Sequence, residues 1–346
     1  MILAGDVGGT KTHLGIFKQE NDRIISLIEN KYESQQYDSF ESLINDFLAH
    51  VSEDNKIIDT ACFGIAGPIE KDQEGKCSCQ MTNIKQWPLM TETNLSKLIK
   101  EKPVFFLNDM EAIAYGISQL GEQDLEIINQ GKYLEGNRAI IAAGTGLGKV
   151  KLPWKENEHY PSASEGGHVN FAPSYDKDNL QLKLLSYLQD RNQGNVSIEQ
   201  ILSGNGLINI YQFLTNEKDA QESEVLIERM KQADDVAQVI SESALAKEDA
   251  LCEKALDLFV SIYGSVAGDL ALHDKTVGGI YIGGGIAPKI LEKMRDANFM
   301  RFFTAKDTQN PKFAQLNADI PVKVIMNDKV GLLGAAGYAA KSGVYV

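Results

Sequence analysis

Asp6-Val7-Gly8-Gly9-Thr10 gathers an acid, two adjacent glycines and a hydroxyl into one short stretch. Glycines let successive main-chain N–H groups face one anion with no Cβ in the way, and the acid can hold a hydrated magnesium ion beside them. A second stretch of similar make, Gly144-Thr145-Gly146-Leu147-Gly148, lies far down the chain. One such stretch alone is more often a tight turn and nothing else. Two of them, each with a threonine and each opening one half of the chain, point to phosphate binding.

Neither stretch is a Walker loop. Gly148-Lys149 is followed by Val150 and preceded five places earlier by Ala143, while Lys11 follows Thr10 where glycine is required. The dinucleotide fingerprint fails too, because the third glycine of Gly144 to Gly148 comes one place early and a strand, not a helix, follows.

Other residues could do chemistry beside a phosphate. Asn108 and Asp109 follow the apolar run Val104 to Leu107, at the C-terminal end of a strand, where α/β sheets bind ligands. Either could equally cap the helix that starts near Met110. Glu165 and His168 frame the turn Gly166-Gly167, which lets both side chains converge, although a lone His beside glycine is more often a satisfied loop residue. Glu199 reads most simply as a first-turn acid favoured by the helix dipole. Asn83 stands near Trp87, which could be a buried anchor. Gly283-Gly284-Gly285 precedes a helix start with Pro288 in its first turn.

Positioning these residues takes alternating strands and helices. Ile2 to Ala4 and His13 to Phe17 read as a hairpin around the first glycine stretch. Ser39 to Val51 sets Phe40, Leu43, Ile44, Phe47 and Leu48 at helical spacing. Ile57 to Gly64 and Val104 to Leu107 are short, nearly all apolar runs, as expected of strands covered on both faces. After a polar stretch at Gly121 to Gly136 the plan restarts with Arg138 to Ala143, the second glycine stretch and a strand at Lys149 to Leu152. Helical patterns follow near Leu180 to Leu188, at Ser197 to Leu202, Leu207 to Leu214 and Ala250 to His273. The last carries a core stripe of Leu251, Ala255, Leu258, Ile262, Val266 and Leu270. Gly278 to Ile282 and Val322 to Met326 read as strands, and Gly331 to Lys341 as a closing helix. A duplicated α/β scaffold with a cleft between its halves is the simplest plan.

Composition agrees with a globular enzyme of two domains: 346 residues against ~150 per domain. With 48 Asp and Glu against 34 Lys and Arg, the net charge of -14 repels a polyanion, so nucleic acid is a poor partner. Asp6 arrives too early for a signal-peptide apolar region, and the uncharged stretch Leu258 to Gly268 is far shorter than the ~20 residues of a membrane span. Cys62, Cys77, Cys79 and Cys252 lack paired clusters, so Cys77-Ser78-Cys79 is expected to be a surface turn and not a metal site, in a reducing cytoplasm.

Five ordered motifs carry a resemblance. Gly5-Asp6-Val7-Gly8-Gly9-Thr10, Leu107-Asn108-Asp109, Ala143-Gly144-Thr145-Gly146-Leu147-Gly148, Glu165-Gly166-Gly167-His168 and Leu202-Ser203-Gly204 stand in the order and spacing of bacterial glucokinases. These belong to the sugar kinase, Hsp70 and actin superfamily. The chain resembles them from Gly5 to Gly334, with Lys11-Thr12-His13 after the first loop and Asn170 in place of a common Asp as modest departures.

The resemblance implies an α/β protein with a two-domain actin-like ATPase (ribonuclease H-like) fold and a central cleft. Residues 1–120 plus 328–346 would form the small domain, and 121–327 the large one. The implied reaction is ATP-dependent phosphorylation of glucose at the 6-hydroxyl to glucose 6-phosphate, the first step of glycolysis. Mannose, fructose or glucosamine is the alternative substrate. Asp109 would be the general base. Asn83, Asn108, Asp109, Glu165, His168 and Glu199 would contact the sugar. Gly5, Asp6, Val7, Gly8, Gly9, Thr10, Gly144, Thr145, Gly146, Gly284 and Gly285 would surround ATP, and Asp6 would reach Mg2+ through water. The implied partners are glucose and ATP, with a homodimer in the cytoplasm and neither nucleic acid nor membrane. Sugar-responsive repressors of the superfamily are the rival class; they carry a DNA-binding helix pair before the first phosphate loop, which here begins at Gly5.

Overall fold

A computed structural model describes residues 1–21, 23–216 and 222–343. The chain divides into two compact units, Met1–Asp124 with Asn327–Val346, and Leu125–Met326. The first boundary lies slightly beyond residue 120 because the turn Glu122–Asp124 is tied back into its own unit. Asp124 accepts from Gly121 N–H at 2.8 Å and from the Asn327 side chain at 3.0 Å.

In the first unit five strands form a mixed sheet in the order Arg23–Glu33, Lys11–Glu20, Ile2–Val7, Thr60–Ile65, Val104–Asn108. Ile2–Val7 pairs antiparallel with Lys11–Glu20 and parallel with Thr60–Ile65. Strand alternation then sorts its side chains. Leu3 and Val7 join the cluster under the helix Phe40–Ala49, whereas Ile2 and Ala4 join the cluster under the helix Val330–Ser342. Helices on both faces explain why every residue of Thr60–Ile65 is buried and apolar or small. Val330–Ser342 is rich in Gly and Ala because its backbone touches that of the helix Asp109–Gly116: a Cβ on Gly334 would collide with Ala112 O, and one on Gly116 with Val330 O.

The second unit repeats the plan. Its six-stranded sheet runs Ser162–Ser164, Leu147–Leu152, Arg138–Ala143, Gly279–Gly283, Val322–Ile325, Leu125–Asn129. Arg138–Ala143 pairs antiparallel with Leu147–Leu152 and parallel with Gly279–Gly283, as Ile2–Val7 does with its own neighbours. The glycine stretches thus occupy equivalent hairpins.

Two expectations need correction, and two elements go beyond what periodicity announces. The strand Arg23–Glu33 is unannounced by periodicity because it is a sheet edge whose residues are mostly half-buried or exposed. Ser197 to Leu202 is not a helix; only the short turn Ile198–Gln200 forms, since Ser197 is held extended in a bridge to Asn170 and Ile201 leaves helical geometry at φ -121°. Ala250–His273 is buried around most of its circumference and not along one stripe. It is long and apolar enough to cross a membrane by composition, and burial in the core accounts for that character. Gly264 and Gly268 let the carbonyls of Phe299 and Phe303, on the helix Ala297–Thr304, lie against it. Finally, Cys77–Cys79 is a short strand and not a surface turn. Both of its sulfurs are buried because the segment is paired on either side and Cys77 N–H is held by Glu92 at 3.0 Å.

Candidate functional site

The first unit brings one set of the expected residues together. Asp6, half-buried near the end of its strand, points to the same face as Ile2 and Ala4, where its Oδ2 lies 3.2 Å from the place a Cβ would occupy on Gly331. Its carboxyl is pushed up to about 6, first by burial, then by the Asp109 carboxylate and Asp328, with Lys31 opposing. Asp6 and Asp109 therefore share one electrostatic neighbourhood. Hard oxygens crowded in this way suit a divalent cation. Among the described residues no group of three or more His, Cys, Asp or Glu surrounds a point, so such an ion would keep several waters and lean on substrate oxygens.

Gly8 N–H donates to Lys11 O at 3.0 Å, closing the hairpin around Gly9 and Thr10. A Cβ on Gly9 would stand 2.8 Å from Asn83 Cβ, so the exposed Asn83 leans on this turn. Gly5 and Val7 belong to the strand core: Val7 is fully buried, and Leu14 and Phe63 occupy the space a side chain at Gly5 would need. Both can offer a ligand only main chain. Trp87 is the buried anchor, stacked on Phe40 at 5.7 Å and donating to Tyr37 O at 2.8 Å.

Asn108 caps the helix Asp109–Gly116 in a reciprocal box. Its Oδ1 accepts Met110 N–H at 3.0 Å, and Glu111 accepts Asn108 N–H at 3.3 Å. Asp109 Oδ1 also accepts Met110 N–H, at 2.9 Å. The cap thus fixes where the Asp109 carboxylate starts.

The second unit assembles the other set. Val169 and Ile198 zip the segment after His168 against the turn carrying Glu199, and Glu199 N–H donates to Gly167 O at 3.0 Å. His168 consequently stands between two carboxylates, with Nε2 3.9 Å from Glu165 Oε2 and Nδ1 3.9 Å from Glu199 Oε1. Gly166 and Gly167 are required by close approach, since side chains there would meet Lys149 and Leu147. Glu199 is not simply a dipole acid: its Oε2 accepts Leu147 N–H at 2.9 Å.

Gly144 O accepts Gly204 N–H at 2.9 Å, which joins the second glycine turn to the start of the helix Gly204–Thr215. With Thr145 and Gly285 they line a cavity of about 580 Å³ whose other walls include Asn205, Asp235, Ile286 and Lys289. Gly284 adopts φ +81° and packs on Ala143 O, whereas nothing crowds Gly285. Of these walls Gly144, Thr145, Gly204 and Gly285 were signalled by sequence, whereas Asn205, Asp235 and Lys289 carry no local pattern. Tyr263 was also missed. Buried on the central helix, it accepts Ala143 N–H at 3.3 Å and donates to Ile141 O at 3.4 Å, steadying the strand that feeds the turn.

Two sheets of one plan, each with a glycine hairpin at a strand end, define an actin-like ATPase fold, and the second unit gathers Glu165, His168 and Glu199 into one cluster. The chain matches the glucokinase family model over residues 3–342. It is 38% identical over 354 residues to the glucokinase of Nostoc sp., with 99% of each chain covered. The glucokinase of an Antarctic psychrotroph superposes with a TM-score of 0.82 at 26% identity over 98% of both chains. A ROK family glucokinase from Streptomyces griseus, solved in complex with glucose and AMPPNP, shares the fold with a TM-score of 0.63 at 22% identity, covering 98% of this chain and 99% of that one. The protein belongs to the glucokinase family.

Proposed function

We propose the following division of labour for the reaction of this family, in which the γ-phosphoryl group of ATP passes to the 6-hydroxyl of glucose to give glucose 6-phosphate. Asp109 accepts the proton of the attacking hydroxyl. In a loose phosphoryl-transfer transition state deprotonation comes late, so a carboxylate held in place by the Asn108 cap suffices. Main-chain N–H groups of Gly9, Thr10, Thr145 and Gly146 hold phosphate oxygens, in turns closed by the Gly8 and Gly144 N–H groups. Gly284 and Gly285 give the nucleoside a flat wall beside the cavity that Gly285 lines. Glu165, His168 and Glu199, with Asn83 and the Asn108 amide, bind sugar hydroxyls. Asp6 would hold hydrated Mg2+, which neutralises charge on the β- and γ-phosphates when bound.

The observation that carries this reading is the cluster around His168, where two carboxylates and an imidazole within 3.9 Å present hydrogen-bonding groups to a neutral polyol without any fixed cation among them. Initial rates with Mg-ATP on glucose, mannose, fructose and glucosamine test it. Glucose should give the largest kcat/KM; a preference for another hexose would reassign the substrate while leaving the roles intact, and no turnover of any would reject the reading. Homodimeric assembly and a cytoplasmic location are supported by the family resemblance, and light scattering on the purified protein tests the former.

A further inference from the structure

Ser34 is fully buried and far in sequence from the first glycine turn, yet three hydrogen bonds join it to that turn and the strand beyond. Its N–H donates to Thr10 O at 2.8 Å, its hydroxyl donates to Gly8 O at 2.8 Å, and Thr12 Oγ1 lies 2.9 Å from its Oγ. Proton accounting fixes the direction of the last bond. A serine hydroxyl has one hydrogen, and a carbonyl can only accept, so Ser34 spends its proton on Gly8 O and Thr12 must donate to Ser34 Oγ. Thr12 is itself fully buried.

The consequence falls on Gly9. In a trans peptide the C=O and N–H point to opposite sides of one plane. Ser34 draws the Gly8 carbonyl inward, and the Gly9 N–H of the same peptide is thereby aimed away from the protein interior. Glycine pairs can turn their peptide planes at little cost, so without this pin the Gly8–Gly9 plane would sample other orientations. We propose that Ser34, backed by Thr12, is a positioning residue for phosphoryl-donor binding: the chain Thr12 O–H to Ser34 O–H to Gly8 O presets the Gly9 N–H toward a phosphate oxygen.

This inference rests on the reading of the turn as phosphate-binding, and two sets of variants separate the failure of either. Gly9→Val tests the reading: if its ATP kinetics match wild type in a folded protein, the turn does not bind phosphate and the inference falls with it. If Gly9→Val is impaired, Ser34→Ala should raise the KM for ATP about 3- to 10-fold, the range of one neutral hydrogen bond, with the KM for glucose within twofold of wild type. Thr12→Val, which keeps the shape and loses the hydroxyl, should raise the ATP KM by a smaller factor, and Thr12→Ser should restore it. Thr12→Val also carries the test should Ser34→Ala fail to fold. Unchanged ATP KM in the hydroxyl-deleting variants, or equal rises in both KM values, would mean that Ser34 only fills the core.

Discussion

Glu199 Oε2 accepts the main-chain N–H of Leu147 at 2.9 Å, while Oε1 of the same carboxylate faces His168 at 3.9 Å. One side chain therefore touches both the second glycine turn and the cluster assigned to the sugar. A Cβ on Gly146 would stand 2.6 Å from Glu199 Oε2, so this arrangement depends on the glycine.

Glu199→Gln should therefore lower kcat/KM for glucose and raise the KM for ATP together, by about 10-fold or more, as expected for loss of a hydrogen bond to a charged group. Gly146→Ala should displace the same carboxylate and produce the same paired defect. Because both changes act through one contact, the double variant should be no worse than the poorer single one. Fully additive losses in steady-state kinetics would show that Glu199 serves the sugar alone.

Asp109→Asn preserves an acceptor for Met110 N–H and so should keep the fold. It cannot take a proton, and kcat should drop about 10²- to 10⁴-fold while the glucose Kd from calorimetry stays within tenfold. Retention of more than a tenth of kcat would remove Asp109 from the base's role.

Asp6 makes a prediction about stability as a function of pH. Its folded carboxyl titrates at about 6, against 3.8 unperturbed, so the folded state holds the proton more tightly and ionised Asp6 is a destabilising group. The penalty is complete above pH 6 and gone below about pH 4. Without metal or nucleotide, Asp6→Asn should raise the melting temperature at pH 7.5, stabilising the fold by about 2 kcal/mol once solvent screening is allowed for, and the advantage should fade between pH 6 and 4. A variant that melts lower than wild type at pH 7.5 would mean that the carboxylate is compensated. Turnover should suffer in the same variant.

Gly284 and Gly285 should part company under alanine substitution. At φ +81° with Ala143 O in the way, Gly284→Ala should lose at least about 2 kcal/mol in denaturant unfolding. Gly285→Ala meets open space and should unfold like wild type, yet its methyl enters the cavity of about 580 Å³ and should raise the KM for ATP several-fold. Equal stability of the two variants would contradict the strained turn, and an unchanged ATP KM for Gly285→Ala would move the nucleoside elsewhere.

The sequence alone determined the strands beside the glycine turns, the long central helix and the duplicated plan. Val104–Asn108, Arg138–Ala143 and Ala250–His273 are announced by runs of apolar residues and by period, which are local properties of the chain. Asn108 as a helix cap was legible for the same reason. Tertiary structure decided what those elements do to one another. Ser34 reaches Gly8 across 26 positions and Glu199 reaches Leu147 across 52, and no local pattern encodes a partner at such separations. The same holds for the burial of Cys77 and Cys79 and for the bridge between Ser197 and Asn170, where a segment distant in sequence holds the backbone extended. Propensity sets which conformations a segment can adopt, and the hydrogen bonds and packing offered by distant residues select among them.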